Sequence, residues 1–426
     1  RKQASGFLLC VCALMSAGYA ASMTTSVVAV GAADTSGVLK KLKIERRAVG
    51  PKDVDIDIHF CGVCHSDLHM ISAEWPSTFA YPMVPGHEIV GVVKSVGAEV
   101  TKFRVGDHVG VGCLVDSCRS CEGCTGGNEQ YCDNLVATYS SLTDWHGAGP
   151  KTKVMEGHGG KESTFGGYSQ AIVVDEHFVL SLPPKLELAR VAPLLCAGIT
   201  TYSPLVHWKA KELGPKMNVG VVGFGGLGHM AVRQSMAMGN NVVVFSTSES
   251  KRQAIVEMGA TFILSRDSAQ MQAAQKTQHL IIDTVSAQHD VVPLLDCLKT
   301  DGTLCMVGLP PEDLKLHAFD VVGKRRNLAG SLIGGLRETQ EMLDFCGSNG
   351  ISADIQLIPP TKLNHAMVAL RKNASPNRRF VIDIKEQMTD GDWEVEPDAE
   401  IKVEEQKIHP KAKVCPQSAV HPAQRQ

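Results

Sequence analysis

The sequence of 426 residues predicts an α/β protein of two domains, because its pattern of apolar residues changes along the chain. From residue 38 to 109, short segments alternate apolar and polar residues and are separated by glycine and proline, which is typical of a compact β-rich domain. After Leu182-Pro183-Pro184, apolar strand-like runs alternate with helical segments, which is typical of a doubly wound parallel sheet.

The composition argues against several classes of protein. A hydrophobic content of 44% and a charged content of 20% are ordinary for a globular protein that needs no membrane. A formal net charge of −3 offers no basic surface for nucleic acid. The fourteen cysteines are spaced for metal binding rather than for disulfides, so we expect a reducing compartment such as the cytoplasm.

The first 22 residues do not fit this picture. Arg1-Lys2 and the apolar run at residues 7–19 resemble a secretory signal, but the run is too short for a membrane span. Three interpretations stay open: a leader, a piece of a longer precursor, or an extension outside the working protein. The last two are favoured, because thiolate metal sites form poorly where disulfides form. The first domain is expected at residues 23–182.

Loops of this first domain carry candidate metal ligands. Strands are predicted at residues 54–58 and 89–93; the segment CGVCHSDLH follows the first at 61–69, and PGHE precedes the second at 85–88. Cys196 stands alone in an apolar run at residues 192–199. Two thiols and one imidazole are typical of a catalytic zinc site, which leaves a fourth position open. We therefore predict Cys64, His87 and Cys196 as ligands. The alternative is that the cysteines pack in a core and the histidine stabilises a turn.

A second metal site is predicted in the lobe at residues 113–134. Four thiols occur in the pattern C-x2-C-x2-C-x7-C and would satisfy a tetrahedral zinc completely, so this site is structural; they are Cys118, Cys121, Cys124 and Cys132. An iron–sulfur run would continue with x3-Cys-Pro, and disulfides at these short spacings would be strained. Cys61 and Cys113 are left over and are expected to pack. Residues 142–164 are polar and predict a surface loop near the site, before a further strand at 171–174.

The second domain, at residues 183–330, opens with a nucleotide-binding signature. A predicted strand at 219–222 runs into GFGGLG at 223–228, and a helix at 229–238 and a strand at 242–245 follow. Glycines between a strand and a helix admit a pyrophosphate to the helix amino terminus. The predicted contacts of the cofactor are Gly223, Gly225, Gly226, Leu227 and Gly228.

The end of the strand at 242–245 predicts which dinucleotide binds. An acid there would bind the ribose hydroxyls of NAD, but this chain has Ser246, Thr247 and Ser248, and then Lys251 and Arg252. Hydroxyl donors and cations suit a 2′-phosphate, so NADP(H) is predicted. The alternative is that the serines only cap the next helix.

The remainder of the chain completes the two domains. Strands are predicted at residues 262–264, 279–283 and 303–308, with an exit strand at 327–335. Residues 331–386 should return to the first domain through helices at 337–346 and 364–370 and a strand at 379–384. From residue 387 to 426 the chain loses its apolar periodicity, and we predict a disordered tail.

Taken together, these motifs resemble a known family. The sequence is similar to zinc-dependent medium-chain alcohol dehydrogenases, most of all to the cinnamyl-alcohol-dehydrogenase-like branch of NADP-dependent aldehyde reductases, over roughly residues 29–384. The motifs that carry the resemblance are CGVCHSDLH, VPGHEIVG, VGVGC, the four-cysteine lobe, APLLCAGITTYSPL, VVGFGGLGHMAV, STSESK and GSLIGG. The resemblance implies a GroES-like first domain, a Rossmann second domain, an active site between them and, commonly, a homodimer.

The resemblance also assigns roles to single residues. Cys64, His87 and Cys196 match the catalytic zinc ligands, and the lobe matches a structural zinc site, giving two zinc ions per chain. Ser66 matches the hydroxyl that touches the substrate oxygen, and His69 matches the end of the proton relay. Further matches are the carboxylates behind the metal, Asp67 and Glu88, and a cofactor contact, Thr200. His65 is a rival for the relay or a contact of the cofactor.

The expected activity is hydride transfer between NADP(H) and an alcohol/aldehyde pair, with aromatic or medium aliphatic aldehydes as substrates. Trp75 and Tyr81 are candidates for the substrate pocket, or they simply pack the domain. Two other functions remain open. One is an NAD-dependent zinc polyol dehydrogenase, against which the complete lobe and Ser246 argue. The other is a non-catalytic zinc protein of the same fold, which would be expected to lack one of the site residues.

Overall fold

The computed structural model of the chain describes residues 24–75, 78–143, 162–372 and 378–398, and the backbone of residues 413–414. The expected leader and most of the predicted surface loop lie outside the described residues. Of that loop, the structure describes its two ends, which form a short hairpin.

The strands are short and occur along the whole described chain. In order they are β1 (Thr25–Ala32), β2 (Leu39–Arg46), β3 (Asp53–Gly62), β4 (Thr78–Phe79), β5 (Ile89–Val96), β6 (His108–Val111), β7 (Leu114–Asp116), β8 (Val136–Ala137), β9 (Leu142–Thr143), β10 (Glu162–Ser163), β11 (Ala171–Asp175), β12 (Leu180–Ser181), β13 (Asn218–Val222), β14 (Asn241–Ser246), β15 (Thr261–Leu264), β16 (Gln278–Asp283), β17 (Leu298–Met306), β18 (Asn327–Gly330), β19 (Ile355–Ile358), β20 (Arg379–Asp383) and β21 (Lys413–Val414).

The helices are concentrated in the second half of the chain. They are α1 (His65–Ile71), α2 (Glu122–Thr125), α3 (Leu188–Val191), α4 (Ala197–His207), α5 (Ala210–Leu213), α6 (Gly226–Ala237), α7 (Arg252–Glu257), α8 (Ser268–Ala273), α9 (Val292–Cys297), α10 (Ala318–Val322), α11 (Leu336–Asn349), α12 (Leu363–Arg371) and α13 (Ile384–Gln387). Single turns of 3-10 helix lie at Glu129–Tyr131, Glu176–Phe178, Ala192–Leu195, Gly214–Lys216, Glu249–Lys251 and Pro360–Lys362.

The first domain is built on a sheet of seven strands. Its order is β12-β6-β5-β3-β20-β19, with β11 paired to β3, and β1 and β2 form a separate hairpin. The alternating residues at 54–58 place Val54, Ile56 and Ile58 in the core, as the period of two predicts. Strands β19 and β20 come from the end of the chain, so the predicted return to this domain is built into its main sheet.

The second domain contains a parallel sheet of six strands in the order β15-β14-β13-β16-β17-β18. This is the 3-2-1-4-5-6 order of a Rossmann fold, which confirms the predicted fold class. Side chains on the two faces of the sheet enter different cores: Leu280 and Ile282 of β16 enter one, and Ile281 enters the other. Strands buried on both faces explain the continuous apolar runs in this half of the sequence.

Helix α11 bridges the two domains. Its side chains Met342 and Leu343 are fully buried in the core that it shares with α4. At its amino end, the Leu336 N–H donates to Glu129 Oε2 of the zinc lobe at 3.0 Å. Its Gln340 bonds the backbone of β12. The helix therefore holds the lobe and the second domain in one arrangement.

Two boundaries differ from the sequence prediction. The exit strand was expected over residues 327–335, but β18 ends at Gly330, where its partner β17 ends at Met306. Ile333, with φ 37°, then leaves the extended conformation. The prediction of a disordered tail is wrong for residues 387–398. Met388 and Val395 are buried in the first core, and Lys41 lies over the ring of Trp393 at 4.6 Å. A few apolar side chains among exposed acids are enough to anchor this segment.

Among the residues that the structure describes, no helix has both the length and the apolar character required to cross a bilayer.

Candidate active site

The three predicted catalytic zinc ligands meet in one cluster. Cys64 precedes α1, His87 precedes β5, and Cys196 lies between a 3-10 turn and α4. Ligand atoms of these residues and of Glu88 lie within 4.8 Å of one another, and all four residues are buried. The sulfurs of Cys64 and Cys196 are 3.9 Å apart, near the separation of about 3.8 Å that ~2.3 Å Zn–S bonds make at a tetrahedral angle. The donor set and its spacing therefore fit a zinc ion.

The carboxylate of Asp67 organises this cluster from behind. Its Oδ1 accepts hydrogen bonds from His87 Nδ1 and the Gly86 N–H, both at 3.1 Å. Its Oδ2 accepts from the Cys64 N–H and the Tyr168 hydroxyl, both at 2.9 Å. Because Nδ1 of His87 is occupied, its Nε2 is the nitrogen left for a metal, and a ligand held this way is well oriented.

Two tyrosines enclose Asp67, and sequence analysis assigned no role to either. Burial raises the pKa of Tyr168 well above its usual value, and the charge of Asp67 adds to the effect, so this phenol stays a proton donor. The ring of Tyr139 stacks on His87 with 5.9 Å between centroids, and burial and Asp67 raise its pKa too.

Arg379 connects the metal cluster to the second domain. It begins β20, and its guanidinium makes two hydrogen bonds to the buried carboxylate of Glu88, one of them Nε to Oε2 at 3.3 Å. Burial alone would lower the pKa of Arg379, but the charges of Cys64 and Glu88 raise it well above its usual value. A Cβ added at Gly226 would lie 3.2 Å from the same guanidinium. The metal cluster and the glycine turn are therefore neighbours.

The predicted proton relay lies on α1. Ser66 Oγ is 3.5 Å from the Cys64 sulfur, and His69 follows one helical turn later, a quarter exposed. His69 Nδ1 donates to Glu74 Oε2 at 2.7 Å, and Arg371 pairs with the other carboxylate oxygen at 3.0 Å. Burial would raise the pKa of Glu74, but the bonds and charges of His69 and Arg371 lower it below the usual value. Sequence analysis missed Glu74.

The two candidates for the substrate pocket differ in position. Tyr81 is buried in the first core, and its hydroxyl donates to the Ile71 carbonyl at 2.9 Å, so the packing alternative fits it better. Trp75 is half-buried and stacks on His69 with 5.1 Å between ring centroids. Trp75 therefore lies beside His69, the predicted end of the relay.

Cys113 and His65 also lie near the cluster. The Cys113 sulfur donates to the Leu195 carbonyl at 3.8 Å, and a hydrogen bond with Cys196 lowers its pKa. In addition to the packing role that the sequence predicts, Cys113 therefore lies beside Cys196, a predicted zinc ligand. His65 Nε2 is 3.1 Å from the Leu370 carbonyl, and burial lowers its pKa. His65 is thus tied to α12, which leaves His69 the better relay.

The four cysteines of the lobe form a second cluster with metal-ligand spacing. Their sulfurs lie within 4.8 Å of one another, with 3.9 Å between Cys118 and Cys124 and 3.5 Å between Cys121 and Cys124. The N–H groups of Cys118 and Asn134 donate to the Cys132 sulfur at 3.4 and 3.3 Å. Hydrogen bonds from the backbone of Ser120 and Cys121 lower the pKa of Cys118 to about 6. Such donors stabilise thiolates, so the lobe also fits a zinc ion.

The glycine turn has the form that the sequence predicts. Gly223 directly follows β13 and has φ 86°, a conformation that favours glycine, and a Cβ at Gly228 would overlap the Gly223 carbonyl. Helix α6 begins at Gly226 and includes Leu227, and space is open beside Gly225. Thr200 lies one turn into α4, its N–H bonded to Cys196 at 3.0 Å. Helix α4, which carries Thr200, packs against α6, which begins within the glycine turn.

The end of β14 presents the hydroxyls and the cation predicted for a 2′-phosphate. Ser246 Oγ accepts from the Ser248 N–H at 3.2 Å, and Lys251 Nζ donates to the Phe224 carbonyl of the glycine turn at 3.2 Å. Thr247 is exposed beside them. Ser248 makes no side-chain cap to the 3-10 turn that follows, so helix capping does not explain it. The guanidinium of Arg252 bonds Glu249 and lies over the ring of Phe262 at 4.2 Å, so it already has partners other than a phosphate.

Comparison with known proteins places the chain in one family. The alcohol dehydrogenase GroES-like domain family matches residues 50–184, and the zinc-binding dehydrogenase family matches residues 226–348. The crystal structure of CAD from Helicobacter pylori, complexed with NADP(H), superposes with a TM-score of 0.77 at 40% sequence identity, covering 86% of this chain and 100% of that one.

Curated relatives match most of the chain. The probable mannitol dehydrogenase of Fragaria ananassa is 51% identical over 83% of this chain and 94% of its own length. Cinnamyl alcohol dehydrogenase 2 of Rauvolfia serpentina is 51% identical over 83% of this chain and 93% of its length. The aldehyde reductase YahK of Escherichia coli (strain K12) is 49% identical over 84% of this chain and 98% of its length. The chain therefore belongs to the family of zinc-binding alcohol dehydrogenases, as its motifs predict.

Proposed function

We propose that this enzyme transfers hydride between NADP(H) and an aldehyde/alcohol pair, and that it reduces aromatic or medium aliphatic aldehydes to primary alcohols. The observation that carries the proposal is the contact between its two halves. Arg379 bonds Glu88 of the zinc-ligand cluster and lies against Gly226 of the nucleotide turn. A substrate held beside the zinc-ligand cluster would therefore lie next to a dinucleotide held at the turn.

When bound, the zinc ion held by Cys64, His87 and Cys196 polarises the carbonyl oxygen, and NADPH supplies the hydride. The residues of the chain handle the proton. Ser66 lies beside the ligand sulfur and donates to the oxygen of the substrate. His69, three residues later on the same face of α1, exchanges that proton with solvent. Glu74 holds Nδ1–H of His69, which leaves Nε2 for the exchange.

Selection of NADP(H) over NAD(H) is assigned to the end of β14. Ser246 and Ser248 offer hydroxyls there. Lys251 offers a cation. Burial lowers the pKa of this lysine, and its ammonium group donates to the Phe224 carbonyl of the glycine turn. Charge-assisted hydrogen bonds of this kind suit a phosphate. The complex of the Helicobacter pylori relative with NADP(H) supports the same choice.

Two observations support the substrate class. Relatives of similar identity are named cinnamyl alcohol dehydrogenase and aldehyde reductase. Trp75 lies against His69 and offers an aromatic face to a substrate that approaches the relay.

A polyol is the second candidate substrate, because one relative is named a probable mannitol dehydrogenase. Oxidation of mannitol would need polar groups around the substrate carbon chain. Trp75 and Cys113, two described neighbours of the site, are less polar than such groups, which favours the aldehyde.

The proposal is tested by turnover. Oxidation of NADPH and NADH is measured with benzaldehyde and cinnamaldehyde, and reduction of NADP and NAD with mannitol, each with and without a zinc chelator. We expect NADPH oxidation with the aromatic aldehydes and its loss on chelation. Equal or better use of NADH would contradict the cofactor assignment, and faster turnover of mannitol would contradict the substrate assignment.

We also propose a homodimer, built on the outer edge of the parallel sheet. Strand β18 ends the sheet in the described residues, so one side of its backbone has no neighbouring strand there. Large apolar side chains are exposed nearby in sequence: Leu309, Leu316, Phe319, Val322 and Leu332. Phe319 is 74% exposed, and a second copy would cover it.

We place the enzyme in a reducing compartment. The cysteines in the described part of the chain are free thiols, and both metal clusters need thiolates.

A further inference from the structure

A buried ion pair lies at the carboxyl end of β16, outside the metal clusters. The side chain of Asp283 is fully buried, and its Oδ1 accepts the Val285 N–H at 3.1 Å. Its Oδ2 accepts from His289 Nε2 at 2.8 Å. Burying a carboxylate costs free energy unless the carboxylate has such partners. His289, which faces Asp283, therefore stabilises this end of β16.

The second nitrogen of His289 also meets an acceptor. Its Nδ1 is 2.9 Å from the carbonyl oxygen of Ala287. A neutral imidazole has one N–H, so only the protonated ring can donate to the carboxylate and the carbonyl together. Hydrogen bonds to Asp283 and Ala287 and the charges of Asp283 and Asp290 raise the pKa of His289, against the opposing effect of burial. The charged groups that face this ring are thus both anionic.

The segment closed by this ring forms a wall of the nucleotide turn. The N–H and the hydroxyl of Thr284 donate to the Val222 carbonyl at 3.1 and 2.7 Å. A Cβ at Gly223 would come within 2.9 Å of Val285, and one at Gly308 would overlap the Val285 backbone. Val285 is therefore wedged between two glycines, one of them in the turn itself, and any shift of residues 284–289 changes the surface that the dinucleotide meets.

We propose that His289 is a positioning residue for the cofactor: its protonated ring, held between Asp283 and Ala287, keeps residues 284–289 against the glycine turn and so sets the affinity for NADP(H). The inference deepens the proposed function and rests on its assignment of the cofactor. Affinity for NADPH falls when the ring loses its proton, because the neutral ring can no longer donate to both Asp283 and Ala287.

The direction of the pH dependence follows from the raised pKa. The contribution of His289 to the affinity for NADPH is fully present below the ordinary histidine pKa of about 6.5. It is lost as the pH rises through the raised value in the folded enzyme. The dissociation constant of NADPH should therefore increase on the alkaline side.

The test is a titration of the zinc-loaded enzyme with NADPH, followed by nicotinamide fluorescence from pH 6 to pH 9. For the unmodified enzyme we expect binding to weaken several-fold across this range. His289→Ala should bind roughly tenfold more weakly at pH 6, with a flatter pH profile, since a hydrogen bond to a charged group is lost. His289→Lys, whose ammonium stays charged to about pH 10, should keep tight binding at pH 9. In all three proteins kcat at saturating NADPH should change less than KM for NADPH.

His279→Ala is the matched control, because His279 lies near the opposite, amino end of the same strand and bonds Asn218. It should keep the pH dependence of the unmodified enzyme. If His289→Ala does not fold, the lysine variant alone decides: a dissociation constant that still rises at pH 9 as in the unmodified enzyme overturns the inference. If the unmodified enzyme binds NADH but not NADPH, the proposed cofactor is wrong, and the same series with NADH then tests His289 by the same outcomes.

Discussion

At the scale of single residues, Glu74 is the partner that the structure adds to His69, the predicted end of the proton relay. It binds His69 Nδ1 at 2.7 Å and is paired with Arg371 on its other side. A carboxylate so placed holds the tautomer and the orientation of the imidazole. In the proposed relay from Ser66 to His69, Glu74 is thus a positioning residue for the imidazole.

Replacing this carboxylate should slow the reaction without removing the metal. We expect Glu74→Gln to lower kcat for aldehyde reduction by roughly tenfold, the size of one charge-assisted hydrogen bond to His69. KM for NADPH should be unchanged, since Glu74 lies away from the nucleotide turn. The measurement is steady-state kinetics with zinc content checked by elemental analysis.

The same residue predicts a pH effect. The lowered pKa of Glu74 means that its stabilising charge is present above the ordinary carboxyl pKa and is lost as the pH falls through the lower value in the folded enzyme. The acid side of the kcat profile should therefore flatten in Glu74→Gln. The control is Arg371→Lys, which keeps a cation near Glu74; a loss of kcat as large as in Glu74→Gln would show that packing, and not the carboxylate, is responsible.

Sequence alone predicts residues that stand in recognisable motifs and misses partners that carry no motif of their own. Cys64 and His87 are found because their motifs have a recognisable order, and the lobe because its four thiols are close together. Arg379 pairs with Glu88, which is 291 residues away in the sequence, and no short motif predicts such a pair. Glu74 is only five residues from His69, but an acid just beyond a short helix is too common to single out.

At the scale of elements, the segment that follows α13 is a structural part of the first domain. Met388 and Val395 are buried, the Met388 carbonyl accepts from Gln170 at 3.0 Å, and the Glu396 N–H donates to Thr361 at 2.8 Å. The segment therefore joins strand β11 to the turn before α12.

Removing this segment should destabilise the enzyme. A chain ending at Gln387 loses two buried apolar side chains, which contribute about 3–5 kcal/mol together, so we expect a clear fall in the midpoint of chemical unfolding. A chain ending at Asp398 retains them and is the matched control, expected to unfold much like the full chain. Circular dichroism in increasing urea compares the three. Equal midpoints for the two shortened chains would contradict the packing described here.

The segment at residues 387–398 shows that average composition does not always predict which residues are ordered. Strands of the parallel sheet are predictable because burial on both faces forces long apolar runs, as at residues 219–222. Residues 387–398 bury only a few side chains among acids, so their average composition is that of a disordered chain. The anchoring of this segment depends on which of its side chains are buried in the first core, and the average composition does not contain that information.

At the scale of the whole molecule, the open edge of the parallel sheet predicts association. Phe319 and Val322 lie on α10, shortly before β18, and are 74% and 66% exposed. Phe319→Asp should place a charge in the proposed contact and shift the enzyme from dimer to monomer. Light scattering after size-exclusion chromatography measures the mass.

The control for this variant is Val105→Asp, which places the same charge at an exposed apolar residue of the first domain, 64% exposed. It should leave the mass unchanged. A monomeric unmodified enzyme, or a dimer that Phe319→Asp leaves intact, would contradict the proposed edge.

One guanidinium, that of Arg379, serves both the metal cluster and the glycine turn. Thermodynamic reciprocity then applies to the two sites: if occupancy of one changes the affinity of the other by some factor, the reverse effect has the same size. Arg379 of β20 is the side chain through which such an effect would pass between the metal cluster and the dinucleotide.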